Sequence, residues 1–184
     1  IGYRVMRIFI KRYGYELSNI TMHKYMNKGL NLCAVIMHSK PGYKTGKKNK
    51  IFDNLLNQIF TVDCKNKVWC TDFTYMRQPN GKFRYNCSII NLYDRSAVAS
   101  LNSDYINTDL AISTLKTALE KENYPKVILH SDQGVQFTSW EFINFCKENN
   151  ITQSMSEAGY PYDNAPMEIF YNTFKSNFYN IISF

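Results

Sequence analysis

The pattern of apolar and polar positions at the start of the chain predicts two short helices. The first helix has apolar residues on one face and basic residues on another; the apolar ones are Val5, Ile8 and Phe9. A turn follows at Gly14, and we expect Thr21 to cap the second helix. The apolar face of the second helix is predicted to contain Met22, Tyr25, Met26 and Leu30. Two short helices around a glycine turn indicate a helix-turn-helix-like segment over residues 1–39.

The outward face of the second predicted helix is basic. It carries His23, Lys24 and Lys28, and a recognition helix presents this kind of surface to the phosphates that line the major groove of DNA. The solvated face of an amphipathic helical hairpin explains the same residues equally well on pattern alone. Both interpretations stay open at this point.

Residues 40–60 are predicted to form a basic linker and a short helix. The first part, residues 40–50, holds five lysines, two glycines and one proline without apolar periodicity, which is typical of a linker. Its lysines, among them Lys47 and Lys48, can bind phosphates. Asp53 is predicted to cap a helix whose apolar residues are Leu55, Leu56, Ile59 and Phe60.

From residue 67 onward the pattern changes to strands that alternate with helices. Strands are predicted over residues 67–75, 83–91, 95–101, 126–130 and 151–155, with a hairpin turn at Asn80-Gly81. Helices are predicted over residues 108–121, 139–149 and 166–178. This order of elements indicates a mixed α/β domain.

The positive charge of the chain is concentrated at its N-terminal end. The 184 residues carry a net charge of +7, but residues 1–50 hold eleven of the 22 basic residues and one of the 15 acidic ones. The net charge is therefore +10 in residues 1–50 and −3 in the remainder. A polyanion such as DNA is the partner that this basic end predicts.

Several classes of protein are excluded by composition. No apolar run reaches the ~18–20 residues of a membrane span, and the first residues lack the apolar core of a signal peptide, so a cytoplasmic protein is expected. The five cysteines are scattered and form no C-x-x-C pair. This pattern argues against both a disulfide framework and a zinc site, and it predicts reduced, mostly buried thiols.

Three carboxylates stand where a structural role is hard to supply. Asp72 interrupts an apolar strand, Asp132 directly follows a strand of the buried type, and Glu168 lies in the first turn of the last helix. Each one alone is more simply explained as a helix cap or an ion-pair partner. Together they can converge at one sheet edge, where three neighbouring acids would repel one another unless cations neutralised them. Ligands that are all oxygen suit Mg²⁺ or Mn²⁺ rather than zinc.

The last predicted helix adds a second observation. Glu168, Asn172 and Lys175 share one face, and the opposite face is predicted to pack on the core through Phe170, Phe174 and Phe178. A solvated face stabilised by helical side-chain pairs explains the polar face equally well when it is taken alone. Considered with the two aspartates, it predicts that Glu168 binds a metal ion and that Lys175 binds a DNA phosphate beside it.

His130 lies two residues before Asp132, so both side chains point the same way on a strand. It could therefore touch a metal site at this sheet edge. A packing or hydrogen-bonding role is the simpler interpretation of a histidine in a buried strand.

The spacing Asp72-x59-Asp132-x35-Glu168, with Lys175 seven residues further on, resembles the DDE signature of retroviral-type integrases and bacterial insertion-sequence transposases. Three strings sharpen this likeness: WCTDFTY at 69–75, HSDQGVQFTS at 130–139, and SMS at 154–156 followed by YDNA at 162–165. They are similar to the transposase encoded by the second reading frame of family-three insertion sequences. The match covers residues 60–184, and the basic segment before it is similar to the part that precedes the catalytic core in that family.

The resemblance implies a fold and a mechanism. Residues 61–184 would form an RNase H-like core, a mixed five-stranded sheet with flanking helices and with the acids gathered at one edge. Asp72, Asp132 and Glu168 would be catalytic and would hold two Mg²⁺ or Mn²⁺ ions, with Asp72 bridging them. DNA strand cleavage and strand transfer would then share one type of in-line displacement at phosphorus.

The resemblance also implies which partners the protein has and that its core is truncated. The expected partners are the DNA of the element ends and of the target, with several copies of the chain assembled on it; no membrane and no small-molecule substrate are expected. Members of this family continue through further helical segments, so the core of a chain that ends at Phe184 is expected to be truncated at its C-terminus.

Two functions from different classes follow from the sequence. The first is a DDE polynucleotidyl transferase, an enzyme of DNA transposition and integration. The second is a non-catalytic transposase remnant that binds element-end DNA as a regulator or competitor of an intact enzyme. The complete set of three acids favours the enzyme, and metal-dependent cleavage of an element end distinguishes the two.

Overall fold

The fold is taken from a computed structural model that describes residues 2–32, 50–78, 80–158 and 160–182, the side chains of residues 161 and 178–182 excepted. The residues group into two units, Ile1–Lys40 with Ser176–Phe184 and Pro41–Lys175, each described by itself. The N-terminal part of the first unit contains helices α1 (Tyr3–Lys11) and α2 (Asn19–Lys24). A π-helical turn over Tyr25–Gly29 continues α2. These two helices confirm the predicted helical N-terminus.

Two details of the second helix differ from the prediction. Ser18, not Thr21, is the cap: its Oγ accepts a hydrogen bond from the Thr21 N–H at 3.1 Å, and its extended backbone suits an N-cap. The predicted apolar face is only half correct, since Met22 and Met26 are buried but Tyr25 and Leu30 are exposed. Leu30 directly follows the π-helical turn, whose wider spacing shifts it from the position that an α-helix would give it.

The larger unit is built on a five-stranded sheet in the order β3-β2-β1-β4-β5. The strands are β1 (Val68–Arg77), β2 (Phe83–Asn91), β3 (Ala97–Ser103), β4 (Ile128–Ser131) and β5 (Thr152–Met155). The first three form an antiparallel meander, and β4 and β5 run parallel to β1. A tight turn at Gly81, which has a φ of +81°, joins β1 to β2. The strand assignments are confirmed to within about two residues at each end.

Helices cover both faces of this sheet. They are α3 (Thr108–Lys121), α4 (Trp140–Glu148) and α5 (Ala165–Ile182), the last preceded by a 3₁₀ turn over Pro161–Asn164. Helices α3 and α4 pack on one face, around Trp69, Leu115 and Phe142. Helix α5 and residues near Leu56 pack on the other face. In the part of the chain that the structure describes, no helix is long and apolar enough to cross a membrane.

The short helix predicted after Asp53 does not form. Residues 50–60 are irregular, and the backbone at Asn57 and Gln58 has φ values of +47° and +62°, which a right-handed helix cannot include. Asn54 instead stabilises a local turn, because its Oδ1 accepts hydrogen bonds from the N–H groups of Leu56 and Asn57 at 3.1 Å each.

The core-facing side of α5 also differs from the prediction. The fully buried residues are Met167 and Tyr171, while Phe170 and Phe174 are only partly buried beside them. The side chain of Phe178 lies outside the described residues. On the predicted polar face, Glu168 and Asn172 are exposed, and Lys175 is half-buried.

Candidate active site

Asp72 lies in the middle of β1, the central strand of the sheet. Its side chain is half-buried, and its Oδ1 accepts a hydrogen bond from the Phe73 N–H at 2.7 Å. Burial raises the pKa of Asp72 to about 8, and the charges of Asp132 and Glu168 add to this rise. The Phe73 N–H bond and the charge of Lys175 oppose it.

Asp132 follows the last residue of β4, the strand that pairs in parallel with β1. The pairing matches Cys70 with His130, so the same register carried two residues further places Asp132 level with Asp72. The Asp132 side chain is exposed, and its Oδ1 accepts a hydrogen bond from the Gly134 N–H at 2.9 Å. A Cβ at Gly134 would lie 2.9 Å from both Asp132 Oδ1 and Gln136 Oε1, so any larger residue there would force these two side chains to move.

Glu168 and Lys175 reach the same region from helix α5. Glu168 is exposed in the first turn of α5, near enough for its charge to raise the pKa of Asp72. The ammonium of Lys175 lies 4.4 Å from the centre of the Tyr75 ring, a cation–π contact. The charges of Asp132, Glu168 and Lys175 all act on Asp72, so these four predicted residues lie in one region of the larger unit.

The fit of this site to a divalent cation rests on the chemistry of its donors. Three carboxylates supply only oxygen ligands, which Mg²⁺ and Mn²⁺ prefer. Among the described residues, no group of three or more His, Cys, Asp or Glu side chains is arranged closely enough to hold a metal ion. The four cysteines that the structure describes are free thiols, and three of them are buried: Cys70, Cys87 and Cys146.

His130 is fully buried and has a hydrogen-bonding role. Its Nδ1 lies 2.9 Å from Ser154 Oγ, and its Nε2 lies 2.9 Å from the backbone oxygen of Asp163. Because a carbonyl only accepts, Nε2 carries the proton and Nδ1 accepts from the Ser154 hydroxyl. Burial lowers the pKa of His130, so the ring is neutral. These contacts confirm the simpler interpretation of His130 and attach β4 to the turn that precedes α5.

Asp163 was not among the predicted site residues, although it lies in the quoted YDNA string. It is buried, and its carboxylate accepts hydrogen bonds from the Glu157 N–H, the Asn54 amide and the Gln58 amide. The Glu157 bond is the largest cause of its lowered pKa. Asp163 therefore fixes the turn before α5 to residues that are more than a hundred positions away in sequence.

The predicted DNA-binding residues of the N-terminal unit lie on or just after α2. His23, Lys24 and Lys28 are all exposed, and His23 Nε2 lies 2.9 Å from Asn27 Nδ2. The ring of His23 also makes an edge contact with Tyr3, with centroids 5.1 Å apart. The other two predicted lysines, Lys47 and Lys48, lie outside the described residues.

The sequence matches the family described as an integrase core domain over residues 62–161. Three curated relatives are transposases. The transposase for insertion sequence element IS904 of Lactococcus lactis is 38% identical over 128 residues, which cover 69% of this chain and 50% of the relative. The putative transposase InsK for insertion sequence element IS150 of Escherichia coli is 29% identical, and the match covers 100% of this chain and 64% of the relative. The transposase InsF for insertion sequence IS3A of Escherichia coli is 34% identical, and the match covers 68% of this chain and 43% of the relative. The chain thus spans 43% to 64% of the lengths of these relatives.

Two solved structures of viral proteins share this fold. A chain of the simian T-cell lymphotropic virus intasome, solved with a PP2A regulatory subunit, has a TM-score of 0.60 and 17% identity, covering 96% of this chain and 57% of that one. The HTLV-2 integrase catalytic core domain, solved with magnesium in a trimeric form, has a TM-score of 0.50 and 18% identity, covering 58% and 65%. These likenesses confirm the predicted RNase H-like sheet.

Proposed function

The chain belongs to the integrase core domain family, and from this premise we propose that it is a transposase that cleaves DNA strands and joins them to new sites. In chemical terms it would be a DDE polynucleotidyl transferase. One observation supports this most strongly: the parallel pairing of β1 with β4 places Asp132 level with Asp72, and the charges of Asp132 and Glu168 both act on the Asp72 carboxyl. Carboxylates that perturb one another in this way at a sheet edge are typical of catalytic sites.

The three carboxylates are proposed to hold two Mg²⁺ or Mn²⁺ ions, with Asp72 between them. When bound, such ions stabilise the attacking and the leaving oxygen of an in-line displacement at phosphorus. The repulsion among the acids supports this assignment, because a cation between them would relieve it.

Lys175 is proposed to hold the DNA phosphate next to the reacting one. Its ammonium lies over the Tyr75 ring, and its charge already acts on Asp72. A cation in this position can orient the DNA backbone beside the carboxylates without binding a metal ion itself. The tyrosine ring limits the directions in which the long lysine side chain can point.

The N-terminal unit is proposed to supply further contacts with DNA. Lys24, Lys28 and His23 are exposed, and residues 1–50 carry a net charge of +10 that includes Lys47 and Lys48. Binding of this kind is largely independent of sequence and weakens as salt is added. We extend the proposal to element ends and target DNA as substrates, and to an assembly of several copies on that DNA.

The proposal is tested by incubating the full chain with a labelled element end and Mg²⁺ or Mn²⁺. We expect metal-dependent cleavage or joining that Asp132→Asn lowers at least about 1,000-fold, because the metal ligands supply several kcal/mol of transition-state stabilisation. The matched control is Asp109→Asn, an exposed aspartate in the first turn of α3, which should keep the wild-type rate.

A wild-type chain that binds the DNA but never cuts or joins it would contradict the proposal that the chain is an enzyme. That result would instead support the second function, a transposase remnant that occupies element ends. Equal cleavage by the Asp132→Asn variant would also contradict the proposal, since the activity would then come from another site or another protein.

A further inference from the structure

The hydroxyl of Tyr171 forms hydrogen bonds with the backbones of both β1 and β2. Asp72 lies opposite Ser88 in this antiparallel pair. The hydroxyl of Tyr171 lies between their backbones: the Ser88 N–H donates to Tyr171 Oη at 2.9 Å, and Tyr171 Oη donates to the backbone oxygen of Asp72 at 2.6 Å. A phenol can do both at once, because it has one proton to donate and lone pairs to accept.

The hydroxyl of Tyr171 is buried and well supported. The residue is only 5% exposed, and its ring makes edge contacts with Phe170 and Phe174, with centroids 5.4 and 6.2 Å apart. Burial raises the pKa of Tyr171 well above its ordinary value, so the hydroxyl keeps the proton that it donates. Loss of this hydroxyl would leave the Ser88 N–H without its acceptor.

Tyr171 and Glu168 are on the same helix, one turn apart. On the other side of Glu168, the amide of Asn164 donates to the backbone oxygen of Thr71 at 3.3 Å. In sequence, Glu168 therefore lies between two residues whose side chains bond to consecutive residues of β1: Asn164, in the turn before α5, bonds to Thr71, and Tyr171, in α5, bonds to Asp72. Met167 is fully buried and belongs to the same apolar cluster as Tyr171.

We propose that Tyr171 is a positioning residue: its hydroxyl fixes the strand at Asp72 against the helix that carries Glu168, and so sets the spacing of these two carboxylates. This inference rests on the proposed function, because the spacing matters only if the two acids share metal ions. Residues that orient metal ligands in this way typically change metal affinity or activity 10- to 100-fold when they are replaced.

The test compares Tyr171→Phe with Tyr124→Phe in the full chain. Tyr124 is 56% exposed and is the matched control. For Tyr171→Phe we expect kcat for DNA cleavage to fall about 10-fold or more, while KM for DNA stays within about twofold of the wild-type value. The Kd for Mg²⁺, measured by calorimetry without DNA, should rise about 10-fold. The Ser88 amide should exchange with solvent at least about 10-fold faster. Tyr124→Phe should change none of these values.

Two outcomes overturn the inference. If the Ser88 amide exchanges at the wild-type rate in Tyr171→Phe, the hydroxyl does not bridge the strands. If that amide is exposed but the Mg²⁺ affinity and kcat stay at wild-type values, the hydroxyl is a structural bond without a positioning role. Failure of the proposed function is seen separately, as a wild-type chain that neither binds Mg²⁺ nor cleaves DNA while its Ser88 amide remains protected.

Discussion

Different interactions hold the helices on the two faces of the sheet. On the face covered by α3 and α4, large apolar side chains such as Trp69, Leu115 and Phe142 are fully buried against one another. On the face covered by α5, apolar packing is joined by polar attachments from Asn164 and Tyr171 to the backbone of β1. The first face offers stability through apolar burial. The second places α5 at a defined position on the strand that carries a candidate catalytic acid.

The largest effect expected from this comparison is that of Trp69→Ala on the α3–α4 face. The ring is fully buried, so its loss leaves a large cavity and should lower the free energy of unfolding by about 3–5 kcal/mol. The control is Trp140→Ala, in which a 55% exposed ring is removed and the change should stay within about 0.5 kcal/mol. Urea unfolding measures both. Similar losses for the two tryptophans would contradict the view that burial of the Trp69 ring is what stabilises this face.

A smaller effect is expected from Asp72→Asn and should depend on pH. The pKa of Asp72 is raised to about 8, above that of an unfolded aspartate, so its carboxyl destabilises the fold increasingly as the pH rises from about 4 to about 8. Without divalent ions, Asp72→Asn should therefore be more stable than wild type at pH 8 by about 1–3 kcal/mol, a range that allows for screening of a half-buried group. The difference should shrink toward pH 4.

Urea unfolding in EDTA across this pH range measures the effect. Asp109→Asn, on the opposite face, should show no comparable pH dependence relative to wild type. If Asp72→Asn is less stable than wild type at pH 8, the carboxylate is stabilised in the fold and the repulsion among the three acids is not the dominant interaction there.

The smallest effect is expected from Ser139→Ala, which removes the cap of α4. Ser139 Oγ accepts from the Phe142 N–H at 3.3 Å, and loss of such a cap costs about 1 kcal/mol. Because α4 lies on the face opposite Glu168, the cleavage rate per folded molecule should not change. Ser139→Thr, which keeps the hydroxyl, should restore most of the stability. A loss of rate in Ser139→Ala would show that the two faces are coupled.

Much of the fold could be predicted because its longer elements have strong internal patterns. Helix α3 and strand β2 lie at the predicted residues, because α3 buries one consistent set of apolar positions and β2 begins just after a clear hairpin turn at Asn80-Gly81. The convergence of Asp72 and Asp132 could also be anticipated from an acid within one strand and another at the end of its neighbour. The shared face of Glu168 and Lys175 on the last predicted helix suggested the roles proposed for these two residues, and the resemblance to integrases and transposases added to that prediction.

The errors occurred where local rules competed with distant contacts. The spacing of Leu55 and Ile59 predicted a helix, but the Leu55 N–H donates to Ser154 Oγ at 2.9 Å, and nothing near Leu55 in the sequence announces that partner. Tyr171 was missed for the same reason. Its acceptor is a backbone oxygen 99 positions away, and backbone groups carry no signal in the residue types.

The parallel pairing of β1 with β4 has a consequence for insertions and deletions. Asp72 and Asp132 are level because of strand register, and the number of residues between them does not set this alignment. Loops such as residues 122–127 could gain or lose residues and leave the two acids aligned. One residue added within 69–71 would instead turn Asp72 to the α3–α4 face, away from Glu168. A chain of this kind can therefore vary in length between its acids while β1 itself cannot change by a single residue.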